Sequence, residues 1–203
     1  MPSHGLLKTG LRSHPNQQDF EQQAPQRRSG WYQKAKDRLP FYMMFAVGDY
    51  TFAPWKVVWT RVGTDITGAV VGQRECVKHL KPVMPAETAV LVAFDELGEA
   101  HYFCAVLNSI PWRFVIVSTA VHGTGGFGSP NVLKKARIPK YNPVDPVHQA
   151  LAEASQEAHQ AAAKGDESRL RAIEGQIDSL AARLWDLTPT ELAEIRRGFG
   201  DVL

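Results

Sequence analysis

The residues best spaced for chemistry lie in Gly123-Thr124-Gly125-Gly126-Phe127-Gly128, a GxGxxG pattern preceded by an apolar run, as in dinucleotide-binding loops. Such a loop must open a helix whose N-terminus holds the pyrophosphate. Here Ser129-Pro130-Asn131 follow instead, and Pro139 arrives after one short strand-like run. The stretch is therefore read as a loop whose backbone can approach a ligand or DNA closely. A nucleotide-cofactor-binding enzyme using Gly123–Gly128 is the less favoured alternative.

Other catalytic signatures are missing. The histidines His4, His14, His79, His101, His122, His148 and His159 show no HExxH or HxH spacing, and Cys76 and Cys104 form no CxxC pair. No metal site and no disulfide framework are expected. No GxSxG elbow marks a nucleophile. Methylation of a flipped base's amino group calls for a polar-Pro-Pro-aromatic motif. The nearest string, Asn142-Pro143-Val144-Asp145, lacks the second proline and the aromatic, and is read as a turn. No catalytic residue and no cofactor are expected in this chain.

What remains suits a polyanion. Residues 1–144 carry 17 Lys+Arg against 10 Asp+Glu (+7), and residues 145–203 carry 6 against 11 (−5). A basic face turned to nucleic acid and an acidic part turned elsewhere fit this split. The cations cluster at Arg74, Lys78 and Lys81, and again at Lys134, Lys135, Arg137 and Lys140, with no acid inside the second cluster. Neutralised phosphates would provide affinity, and polar loop residues such as Thr124, Ser129 and Asn131 would reach base edges.

These residues need elements to hold them. Residues 1–30, rich in Gln, Pro, Arg and Ser, have too few apolar side chains for a core and are expected to be flexible. Short β-branched and aromatic runs then begin at Phe41 and recur at 55–62, 66–72 and 88–94, punctuated by Gly and Pro. Alternation puts Trp55, Val57, Trp59 and Arg61 on one strand face and Lys56 on the other. The tryptophans are read as core before they are read as base-stacking aromatics. Asp95 is expected to cap a helix carrying Ala100, Phe103, Cys104 and Leu107 up to Asn108-Ser109. Residues 112–121 fit either a helix or a buried strand, NVLKKARIP reads as a strand, and KYNPVDP as extended chain.

The C-terminal part is helical by pattern. Asp145-Pro146 opens a helix to about Ala163, Gly165-Asp166 closes it and caps the next, and Thr188-Pro189-Thr190-Glu191 starts a third that ends near Arg197, before Gly198. Leu170, Ile173, Ile177, Leu180 and Leu184 form an apolar stripe that packs on the neighbouring helix or, alternatively, docks on another subunit. No apolar run is long enough to span a bilayer and the N-terminus has no signal-like apolar region. A cytoplasmic chain with no membrane partner is expected.

Four strings in order resemble one family. FYMMFAVGDYTFAPWKVVWTRVG (41–63), KPVMPAETAVLVAF (81–94), DELGEAHYFCAVLNS (95–109) and LKKARIPKYNPVDPVHQALAEASQEAH (133–159) are similar to the C-terminal target-recognition domain of adenine-N6 DNA methyltransferases of restriction-modification systems, Eco57I- and TaqI-like in type. The likeness runs from about Phe41 to about Leu187. It implies a non-catalytic part of a site-specific adenine methyltransferase that reads double-stranded DNA. The catalytic domain or subunit, with its S-adenosylmethionine, and a nuclease where one is linked, are expected elsewhere. Carried over to this sequence, Lys56, Arg61 and the loop from His122 to Ser129, with Thr124 in it, are expected to face DNA; with Arg74, Lys78, Lys134 and Lys135 of the basic clusters they make up the expected DNA-binding residues. The implied fold is α+β: a flexible segment (1–30), a mixed, strand-rich recognition domain with short helices (31–144), and a C-terminal helical hairpin with a short third helix (145–203). A protein-interaction subunit docking through the hairpin is the alternative function.

Overall fold

A strand that carries Trp55, Val57 and Trp59 at every second position must bury that face, and a helix is laid across it. The computed structural model describes residues 48–76, 78–85, 88–118, 126–128 and 132–202. The segment expected to be flexible (1–30) and the apolar run from Phe41 to Val47 lie outside them. A four-residue helix α1 (Asp49–Phe52) leads into β1 (Trp55–Thr60), followed by β2 (Gly68–Val71), β3 (Gln73–Cys76), β4 (His79–Pro82) and β5 (Ala89–Phe94). β1 is the centre of an antiparallel sheet of order β2-β1-β5, with Val57 opposite Val70 on one side and Val92 on the other. β3 and β4 make a separate hairpin. The fold is mixed α+β, as expected.

On the sheet lies α2 (Leu97–Asn108), of which no residue is exposed; Ala100, Cys104, Val106 and Leu107 are fully buried. α3 (Ile110–Ser118) follows after Ser109, which resolves residues 112–118 as helix rather than strand. The hairpin of α5 (Pro146–Lys164) and α6 (Glu167–Ala182) covers the other side of α2, and α7 (Pro189–Val202) packs on α3. One apolar core joins Val57 and Trp59 to Trp112, Leu151, Ile173, Ile177 and Phe199. Among the described residues no helix is long and apolar enough to cross a membrane.

The C-terminal caps follow the sequence. The Asp145 carboxylate accepts from the amides of Val147 (2.8 Å) and His148 (3.2 Å), and Gly165 takes the left-handed φ of 70° that ends α5. Asp166 caps α6 by accepting from Arg169 N. Thr188 and Glu191 form the reciprocal capping box. Ile173 and Ile177 of the stripe are buried in the chain's own core, with Leu170, Leu180 and Leu184 packed at its edge.

Three expectations are corrected. α2 starts after Glu96 without a side-chain cap, not at Asp95. α7 continues past Gly198 to Val202, because Gly198 leaves room for the Phe114 ring, 3.3 Å from where a Cβ would stand, and Phe199 is buried. NVLKKARIP is not a strand: residues Val132–Lys135 form the short helix α4, and residues 136–140 after it pair with no strand among the described residues. Their carbonyls are taken by side chains instead. Trp112 Nε1 donates to Ala136 O (3.2 Å), Trp185 Nε1 to Arg137 O (3.2 Å) and Tyr102 Oη to Pro139 O (3.0 Å).

Asp178 of α6 is the joint between α3, α6 and α7. Its carboxylate caps α3 from outside, accepting from Ile110 N at 2.8 Å, and pairs with Arg196 of α7 at 3.2 Å. Burial pushes its pKa up against those bonds. Removing it strips a buried amide of its acceptor, so Asp178→Ala should lower stability by about 1–3 kcal/mol, read as a lower urea midpoint. An unchanged midpoint would show that α3 needs no such cap.

Candidate nucleic-acid interface

The end of β1 and the glycine-rich loop meet. The Trp59 indole, 4% exposed, donates from Nε1 to Phe127 O at 3.1 Å, and Phe127 is itself buried. Two residues further on, the exposed Arg61 lays its side-chain stem on Gly128, where a Cβ would stand 2.4 Å from Arg61 Cγ. Arg61 and Gly128 are far apart in the chain, and the fold brings them together. His122, Thr124 and Ser129 lie outside the described residues.

Lys56 is a correction. Alternation places it opposite the Trp55/Val57/Trp59 face, which suggested a cation facing DNA, but the residue is only 2% exposed. Its Nζ turns back to donate to Ala53 O at 2.8 Å, closing the turn between α1 and β1. Burial lowers its pKa from the ordinary lysine value. Lys56 is a structural residue of that turn.

Arg74 and Lys78 are exposed on the β3–β4 hairpin, with Lys78 in its turn at φ 65°. Lys134 and Lys135 are exposed at the end of α4. Lys134 and Arg137 flank a shallow groove of about 480 Å³ with an apolar floor of Phe103, Leu133 and Ile138. The cations missed as site residues are Lys81, Arg137 and Lys140, all exposed. Their residue types were visible in the sequence. What was not visible is that Lys81 stands across the hairpin from Arg74, and that indole and phenol donors hold the backbone of 136–139.

The charges divide the structure. Four of the five ion pairs among the described residues lie in the C-terminal helices: Arg169–Glu157, Arg171–Glu167, Arg196–Asp178 and Arg197–Glu194. The fifth joins Arg113 to Asp65. Arg61, Arg74, Lys78, Lys81, Lys134, Arg137 and Lys140 have no ion-pair partner among the described residues. Cations left without counter-charges on an exposed surface fit an anionic partner.

One buried cluster has the residue types of a nucleophilic site: His101, Cys104, Ser155 and His159. Its bonding serves the fold. The backbone N–H groups of Gly68 and Val70, in edge strand β2, are accepted by Asn108 Oδ1 (2.8 Å) and His159 Nε2 (2.9 Å). His159 therefore carries its proton on Nδ1, which faces Ser155 O at 2.7 Å. His101 Nδ1 meets Ser155 Oγ at 3.0 Å. Burial pushes the Cys104 thiol up to about 12, so it is not a thiolate at neutral pH. No group of three or more His, Cys, Asp or Glu that would hold a metal occurs among the described residues. The helix after the GxGxxG stretch is only the four-residue α4, which gives a pyrophosphate little dipole to rest on.

No family model, no curated protein and no solved structure matches this chain.

The cluster does set a pH response. His101 is held down to about 4, first by burial and then by the neighbouring His159 ring. The unfolded chain binds this proton near pH 6.5 and the folded chain near 4, so stability is fully present above 6.5 and falls as pH drops through that window. On the order of 3 kcal/mol is at stake. Thermal melts at steps between pH 7 and 4 should show the loss, and His101→Gln should flatten it; a wild-type melting temperature that stays level there would exclude the mechanism.

Proposed function

We propose that this chain is the sequence-recognition module of an adenine-N6 DNA methyltransferase of a restriction-modification system, working in the cytoplasm. It grips duplex DNA and positions a catalytic domain or subunit that carries S-adenosylmethionine, with a nuclease where one is linked. Base flipping and methyl transfer belong to that catalytic partner. This chain supplies the register on the duplex.

The observation that carries the reading is the division of charge. The C-terminal helices pair Arg169, Arg171, Arg196 and Arg197 internally, whereas Arg61, Arg74, Lys78, Lys81, Lys134, Arg137 and Lys140 have no ion-pair partner among the described residues. Phosphates are the ligands such a surface suits. The four family-like strings support the narrower assignment to a methyltransferase. Two of them supply β1 and β5, two of the three strands of the sheet at whose end Arg61 lies, and another forms the helix α2 packed on it. Docking through the helical hairpin is less well supported, because Ile173 and Ile177 of its stripe are buried in the chain's own core.

The test is a titration of random-sequence duplex DNA at about 50 and about 200 mM salt. Wild type should lose affinity steeply between the two. Lys134→Gln with Arg137→Gln should flatten the slope of log K against log salt by about 0.9 for each phosphate contact removed. Binding that is absent, or independent of salt, would sink the DNA reading. Capture of a catalytic subunit by a chain that ignores DNA would favour the docking role.

A further inference from the structure

We infer that the β3–β4 hairpin is a ribbon that enters the major groove of duplex DNA and reads base edges with Arg74 and Lys81. The inference rests on the DNA reading above and assigns base recognition to one element of it.

In the sequence, residues 73–82 look like a polar connection. The structure makes them a two-stranded sheet of their own, with Arg74 opposite Lys81, Glu75 opposite Leu80 and Cys76 opposite His79. Its base is fixed. Val83 N donates to Gly72 O at 3.2 Å, and Gly72 lies against the Trp55 ring so closely that a Cβ would stand 2.4 Å from it. Beyond that base Arg74, Glu75, Lys78, His79, Leu80 and Lys81 are all exposed, Leu80 by 69%.

Three features of this hairpin oppose its own stability. A two-stranded ribbon with no sheet beside it is marginal in water. Arg74 and Lys81 are like charges directly across the ladder, an arrangement that destabilises a strand pair. Lys78 adopts a left-handed φ of 65° in a turn with no glycine, a conformation that side chains resist. The one acid, Glu75, pairs by register with Leu80 on the opposite face and so does not neutralise them. An anionic groove offsets the charge repulsion and explains why the ribbon is exposed.

Shape and chemistry then select the ligand. The B-form major groove, about 12 Å wide, admits a two-stranded ribbon whose strands are about 4.8 Å apart. Directly opposed side chains start about 5 Å apart, close to the roughly 3.4 Å step between stacked bases, so Arg74 and Lys81 reach neighbouring base pairs. Arginine bonds guanine O6 and N7 in a fork, and lysine bonds the same atoms as a point charge. The deep, narrow major groove of duplex RNA excludes such a ribbon.

The experiment is selection from a random duplex library with the full chain, repeated with Arg74→Gln/Lys81→Gln and with Glu75→Gln. Wild type should enrich a motif containing guanine. The double variant should keep its melting temperature or gain in it, since a repulsion is removed, and should lose roughly ten-fold preference at one or two adjacent positions. Glu75→Gln should select the wild-type motif. Two results overturn the ribbon while leaving the DNA reading intact: a double variant that selects the same motif, or one that binds every duplex more weakly by the same factor. Equal competition by duplex RNA also overturns it. A wild-type chain that enriches nothing and binds no duplex removes the DNA reading and the ribbon together.

Discussion

The helix Leu97–Asn108 has no exposed residue, and much of the structure follows from that. A helix buried on both the sheet side and the hairpin side must find a partner for each polar group it carries. Asn108 meets this by bonding both the N–H and the C=O of Gly68, and in doing so it closes part of the free edge of β2. His159 closes another part at Val70. An open sheet edge invites pairing with other chains; here helix side chains occupy it. The same bonds fix the sheet relative to the hairpin, so β1 and the loop at Gly126–Gly128 are held by a core assembled from both.

Local signals were legible where the interaction spans four residues or fewer. Asp145 with Pro146, Gly165 with Asp166, and Thr188 with Glu191 form caps at the expected places because each is a bond between near neighbours. The alternation at 55–59 likewise gave the buried face of β1. Signals that depend on distant partners were not legible. Lys56 is a short-range exception: it reads as outward-facing by alternation, yet the Ala53 carbonyl three residues back draws its ammonium inward. Gly198 reads as a helix end, yet Phe114 fills the space a side chain would need.

The candidate site divides in the same way. Its residue types stand in the sequence, since a cluster of lysines and arginines without acids is visible before any folding. Its geometry does not. Arg61 meets Gly128 only because β1 and the loop share a core contact through Trp59 and Phe127. The hairpin is silent in sequence because its turn lacks the Asn-Gly or Asp-Gly pair that normally announces one. Lys78 takes the left-handed position instead, and without the register there is no reason to set Arg74 across from Lys81.

The segment after α4 shows how such a surface can be held in place. Lys134, Lys135, Arg137 and Lys140 sit on or beside a backbone whose carbonyls at 136, 137 and 139 are held by Trp112, Trp185 and Tyr102. A β-ladder would fix this backbone too, but it would need a second strand beside it. Side-chain donors reaching from α2, α3 and the turn after α6 fix it from the core, and the cations remain exposed. Ordering a loop on binding subtracts from affinity. Here the backbone is already held, so if the proposed phosphate backbone is met, the ordering that remains is mainly that of the lysine and arginine side chains.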